Sequence, residues 1–99
     1  MEKGMEQGEF EVLLEVGQAY LLNKDYEKAI VKFSEALRIN PHDPEVYYYL
    51  GLAYEGAERF PEAIKRYEET LKLDRNHSNA EIRINELAKK IAKTKEKKK

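Results

Sequence analysis

The residues of this 99-residue sequence whose types invite chemistry are two histidines, His42 and His77, an adjacent acid pair, Glu68 and Glu69, and the run Tyr47-Tyr48-Tyr49. Imidazoles titrate near neutral pH and ligate metals, but a metal site needs further ligands converging on it, and the acid next to His42, Asp43, is placed to cap a helix. Glu68 and Glu69 have Lys65, Arg66 and Lys72 around them, the pattern of surface ion pairing. Ser34, Ser78, Thr70 and Thr94 have no adjacent base to activate them as nucleophiles. There is no Cys, which removes disulfides, thiol nucleophiles and zinc ribbons. The glycines at 4, 8, 17, 51 and 56 are too scattered for a phosphate-binding loop. The expectation is a protein that is not an enzyme and uses neither metal nor cofactor. Three tyrosines could form a stacking platform for nucleic-acid bases, but Glu45 and Glu55 flank them and would repel phosphates.

Charge is distributed unevenly. Residues 89–99 carry seven Lys and one Glu, or +6, and the whole chain sums to −1, so residues 1–88 carry −7. An acidic body disfavours nucleic acid as a partner. The basic tail leaves open a tail-mediated contact with nucleic acid or an anionic membrane surface, beside the plainer reading of a solvated helix end. Hydrophobic residues make up 41% and charged residues 37%, enough apolar material for one thin core of stacked helices with wet outer faces. No apolar run approaches the roughly 20 residues that span a bilayer, and residues 1–9 lack the apolar stretch of a secretory signal. The expected location is cytoplasmic.

The elements that would position these residues emerge from internal repetition. A shift of 34 residues aligns Glu11, Val12, Gly17, Ala19, Tyr20, Ala29, Ile30, Glu35 and Leu37 with identical residues, Glu45, Val46, Gly51, Ala53, Tyr54, Ala63, Ile64, Glu69 and Leu71. Within the first unit Leu13, Val16, Gly17 and Tyr20 recur at helical spacing, and after Asn23-Lys24-Asp25 the series restarts with Tyr26, Ala29, Ile30, Phe33, Ala36 and Leu37. Each unit is therefore a helix hairpin. Asp25 reads as the N-cap of the second helix; Asp43 and Pro44 read as N-cap and first residue of the third. Gly17 and Gly51 cost about 1 kcal/mol each in a helix interior, so close helix approach is expected there, with Ala29 and Ala63 facing them. A fifth helix comes next: Ser78-Asn79-Ala80-Glu81 reads as a capping box before the apolar stripe of Ala80, Ile84, Leu87, Ala88 and Ile91.

The set Gly17, Tyr20, Ala29, Phe33, Ala36 and Pro41, with Gly51, Tyr54, Ala63 and Tyr67 in the second unit, resembles the tetratricopeptide repeat (TPR) signature. The resemblance covers 68 of the 99 residues, and departs from the pattern at Thr70, where Ala is usual, and Arg75, where Pro is usual, which should loosen the junction to the fifth helix. It implies an all-α fold, antiparallel helix hairpins stacked as a short α-solenoid. The expected organisation is a flexible N-terminal segment 1–9, repeats at 10–43 and 44–77, a capping helix at 78–94 and a basic tail at 95–99.

The family presents the first helix of each hairpin to a concave face where partners bind. Carried onto this sequence, the candidate groove comprises Leu14, Gln18 and Leu21, then Tyr48, Tyr49 and Leu52, then Ile82 and Arg83, edged by acids and with Tyr48 and Leu52 turned away from the core stripe. Three helices about 8 to 10 Å apart offer room for about six residues of extended peptide or a helix of about 13. The family's carboxylate clamp for the Glu-Glu-Val-Asp tails of chaperones needs Lys and Asn residues where Leu14, Gln18 and Tyr49 stand, and only Arg83 fits, so such tails are not expected partners. The expected function is a protein-protein interaction module that binds a short apolar or amphipathic peptide or helix. The alternative is a self-associating or structural scaffold, natural or engineered, whose groove is closed by another copy or by residues 1–9.

Overall fold

Each 34-residue unit folds as an antiparallel helix pair, and the pairs stack with one further helix behind them. In the computed structural model, which describes the backbone of residues 2–97 and the side chains of residues 8–95, the helices are α1 (Glu2–Leu22), α2 (Tyr26–Ile39), α3 (Pro44–Gly56), α4 (Phe60–Leu73) and α5 (Ser78–Lys97). These five are the secondary-structure elements of the described residues, and the fold is an all-α solenoid. Segment 1–9, expected to be flexible and to precede the first helix, is drawn from Glu2 onward as the opening turns of α1. The last helix likewise runs past the expected end at 94, to Lys97.

The turns repeat as the sequence does. Lys24 and Glu58, 34 positions apart, both take the left-handed conformation, at φ 63° and 62°. Each lets the chain reverse so that the next amide returns to the helix just ended: Asp25 N donates to Tyr20 O at 2.8 Å and Arg59 N to Tyr54 O at 2.9 Å. Asp25 occupies the N-cap position of α2, but its side chain makes no capping hydrogen bond, contrary to expectation. Asp43 does cap: its carboxylate accepts from Glu45 N at 3.0 Å, and Pro44 stands at the first helical position.

The expected capping box at Ser78 is not formed, because the helix starts one residue earlier than that reading requires. His77 stands where Asp43 stands in the preceding unit, and its Nδ1 accepts from Ala80 N at 3.1 Å. An Nδ1 that accepts carries no proton, so the ring is the Nε2–H tautomer, and Nε2 donates to Glu45 Oε1 at 2.6 Å. One imidazole thus caps α5 and ties it to α3.

The glycines admit aromatic rings rather than the alanines expected opposite them. A Cβ on Gly17 would lie 2.6 Å from Phe33 Cε1, and one on Gly51 2.3 Å from Tyr67 Cε1. Phe33 and Tyr67 are completely buried in consequence, each burial contributing about 2 to 3 kcal/mol. Phe33 belongs to a core of Phe10, Ala29, Ile30, Ala36, Val46, Leu50 and Ala53 between the two hairpins; Tyr67 joins Ala63, Ala80 and Leu87 in a second one beneath α5, and Tyr54 packs on both. Thr70, expected to loosen this second junction, is fully buried there, with its hydroxyl in donating reach of Arg66 O at 3.2 Å and Pro44 O at 3.3 Å. It stitches α4 to the start of α3.

Candidate functional site

Helices α1, α3 and α5 are the first members of successive units, so side chains 34 positions apart fall in rows across them. Leu14, Tyr48 and Ile82 form one row, Gln18, Leu52 and Glu86 the next, and Leu21, Glu55 and Lys89 a third. The side chains differ in how far they stay open to a partner. Ile82 is 52% exposed, whereas Leu14, Gln18, Leu21, Tyr48, Tyr49 and Leu52 are half-buried.

Tyr48 and Leu52, expected on the side of α3 turned away from the core stripe, both pack against the second core, and Tyr49 packs against the first. Tyr49 stacks on Phe33 with ring centroids 5.4 Å apart and planes 14° from parallel. Tyr48 lies 5.6 Å from the Tyr67 ring and 4.7 Å from the His77 ring. Burial holds its phenol above the ordinary pKa, with Arg83 acting against the shift. Tyr49 gives a ring face to Phe33, and Tyr48 packs at a tilt against Tyr67 and His77, so each ring leaves only part of its surface to the groove.

Arg83, expected in the groove and the one position that fits the carboxylate clamp, is engaged. Its Nε donates to Glu55 Oε1 at 3.1 Å and its Nη2 to Glu55 Oε2, a two-pronged pair. The Tyr67 hydroxyl donates to the same Glu55 Oε1 at 2.8 Å. Glu55 thus joins α3, α4 and α5 through one carboxylate. Burial, and then the bond to Glu55, raises the Tyr67 phenol well above its ordinary pKa; the same carboxylate raises Arg83 further into its charged range. Sequence reading missed this network. The signal was there in the repeat positions, since Glu55, Tyr67 and Arg83 replace Leu21, Phe33 and Tyr49 of the preceding unit.

A shallow hollow of about 370 Å³ lies where the rows end, lined by Leu21, Tyr26, Leu52 and Phe60 together with the charged Glu55, Glu58, Arg83 and Lys90. Of the expected site residues the structure gathers Leu21, Leu52 and Arg83 around this one hollow, leaves Ile82 exposed in the first row, away from it, and packs Tyr48 and Tyr49 against the two cores. Among the described residues no three His, Asp or Glu side chains converge as metal ligands, and no helix is long and apolar enough to cross a membrane. An arrangement of apolar side chains beside a neutralised ion pair can bind and orient a chain; it offers no activated nucleophile.

Known proteins resemble the chain in sequence and in fold. A family model for the TPR repeat matches residues 17–56, and a tetratricopeptide repeat model matches residues 44–77. The Saccharomyces cerevisiae peroxisomal targeting signal receptor is 35% identical over 63 residues, which are 64% of this chain and 10% of the receptor. Human tetratricopeptide repeat protein 21A is 37% identical over 59 residues, 60% of this chain and 4% of that protein. The chain therefore spans a tenth or less of the curated relatives it matches. Among solved structures, a point mutant of MamA superposes with a TM-score of 0.77 at 24% identity, covering 88% of this chain and 64% of that one. Another MamA structure gives 0.76 at 24%, covering 88% of this chain and 48% of that one, a likeness of fold. The 34-residue period, the ring-on-glycine packing and both family matches agree: the chain belongs to the tetratricopeptide repeat family, and its fold is that family's protein-interaction scaffold.

Proposed function

We propose that the chain is a non-catalytic recognition module whose concave groove receives a short apolar or amphipathic peptide or helix. The observation that carries this reading is the convergence of Leu21 of α1 and Leu52 of α3 on one hollow, with Ile82 of α5 exposed in the first of the three rows on the same face. An apolar side chain of the partner enters between the two leucines, and polar groups of the partner lie toward Lys90 and the Glu55–Arg83 pair. Because Arg83 is already bound, an acidic chain terminus has no vacant guanidinium to meet, and chaperone tails of the Glu-Glu-Val-Asp type are poor ligands. The groove is small, so its ligands bind weakly to moderately. The likeness to a protein named a targeting signal receptor favours recognition over a purely structural role.

The test uses a displayed library of random 12-residue peptides selected on the whole chain, followed by titration of one selected peptide. Leu52→Glu and Ile82→Glu should each weaken it at least about tenfold with helicity unchanged by circular dichroism. Ile82 is exposed, so its substitution leaves the fold intact and keeps the test valid if Leu52→Glu proves destabilising. Undiminished binding by the Ile82→Glu protein, together with selected peptides that lack apolar side chains, would refute the groove.

A further inference from the structure

The 34-residue register shows which surface of a unit is built to be covered. In α3, Val46 and Ala53 are completely buried and Leu50 nearly so, all against the preceding hairpin. In α5 the same positions are Ala80, Ile84 and Leu87, of which Ala80 and Leu87 are buried against the second hairpin. In α1 they are Val12, Val16 and Ala19. Val12 is 58% exposed, Ala19 is exposed, and Leu22 on the same side is 84% exposed. The first helix thus presents an internal interface with nothing described upon it, while the other end of the stack is closed by a lysine-rich helix.

The margins of this face carry opposite charge. Toward the groove stand the exposed acids Glu11 and Glu15, and Glu15 replaces Tyr49, the ring that stacks on Phe33 at the internal junction. Toward α2 stands Lys28, its ammonium 5.7 Å from the centre of the Tyr20 ring, beside Val31 and a hollow of about 340 Å³. Neighbouring Glu27 is satisfied by Arg59 at 2.9 Å and Lys32 by Glu35 at 3.2 Å, so Lys28 supplies the charge of that margin. A two-fold rotation about an axis along α1 reverses the two margins and brings Glu15 of one copy toward Lys28 of the other, with the valines between.

We propose that this end face, distinct from the groove, is a self-association surface whose occupant is a second copy of the chain, docked α1 against α1 in parallel. Over residues 11–22 the face is about 18 Å long and about 10 Å wide, which covers roughly 200 Å² per copy, well below the roughly 800 Å² of a standard interface, so the dimer forms weakly.

Sedimentation equilibrium of the full chain from about 10 µM to about 1 mM tests it. The expected result is a monomer–dimer equilibrium weakened at least about tenfold by Val12→Glu and left unchanged by Ile82→Glu. Glu15→Lys and Lys28→Glu should each weaken it, and the double variant should recover most of the loss. A monomer throughout would overturn the proposal and leave the face to a different partner. A dimer dissociated by Ile82→Glu and indifferent to Val12→Glu would also overturn it, placing the second copy in the groove.

Discussion

The two junctions of the stack use the same three repeat positions for opposite chemistry. Between the hairpins Leu21, Phe33 and Tyr49 make an apolar stack, whereas between the second hairpin and α5 the equivalents Glu55, Tyr67 and Arg83 make a hydrogen-bonded ion pair. The difference arises from the backing of each junction. The first is backed by a complete hairpin, and its ring Phe33 is fully buried. The second is backed by one helix, and Arg83 keeps about a third of its side chain in solvent, which lowers the desolvation penalty of the pair. The groove inherits this gradient, apolar where α1 meets α3 and charged where α3 meets α5.

The largest expected effect tests what the junctions share, the ring seated on glycine. Gly51→Ala should destabilise by about 3 kcal/mol and Gly17→Ala by about 2, because the buried rings cannot retreat and the closer approach is at Tyr67. Chemical denaturation reads both. Equal values near zero would mean that the rings are not locked.

Next comes conversion of the second junction toward the first. Glu55→Leu leaves Arg83 and the Tyr67 hydroxyl without their acceptor, and Arg83→Tyr leaves Glu55 half-buried with one donor; each should cost about 2 kcal/mol. The double variant should cost at least about 1 kcal/mol less than their sum, since leucine and tyrosine then meet as Leu21 and Tyr49 do. Strict additivity would deny that the positions are equivalent.

A smaller effect is expected at alkaline pH. Tyr67, and to a lesser degree Tyr48, hold their protons more tightly in the fold than in the unfolded chain. Their contribution is complete below about pH 10, where the unfolded phenols are also protonated, and declines above it as the unfolded chain releases protons that the fold retains. Tyr67→Phe should cost about 1 kcal/mol near neutral pH and flatten that decline. The smallest effect concerns the turns, where the junctions do not differ: Lys24→Gly and Glu58→Gly, which relieve left-handed backbone at the entropy cost of a glycine, should each stabilise by about 0.5 kcal/mol.

Much of this architecture was legible because periodicity reports burial directly. The hairpins, the Asp43 cap and the additional helix can be read from spacing, and the repeat family from the resemblance of residues such as Gly17, Tyr20, Ala29 and Phe33 to its signature. The Ser78 cap misled because its four-residue pattern fits a capping box by itself; alignment with Asp43 places His77 at the cap instead. Tyr48 and Tyr49 were legible as a pair on α3 but not as stacking residues, since their partners Phe33, Tyr67 and His77 come from outside that helix. The Glu55–Arg83 bond spans 28 residues, and no local pattern announces such a pair.

The groove is most directly tested by isothermal titration of one library-selected peptide into three proteins in parallel: the unaltered chain, Ile82→Glu and Val12→Glu. Binding lost at least about tenfold in Ile82→Glu and retained in Val12→Glu is the predicted result. Binding retained in Ile82→Glu and lost in Val12→Glu would contradict it, moving recognition from the concave face to the end of the stack.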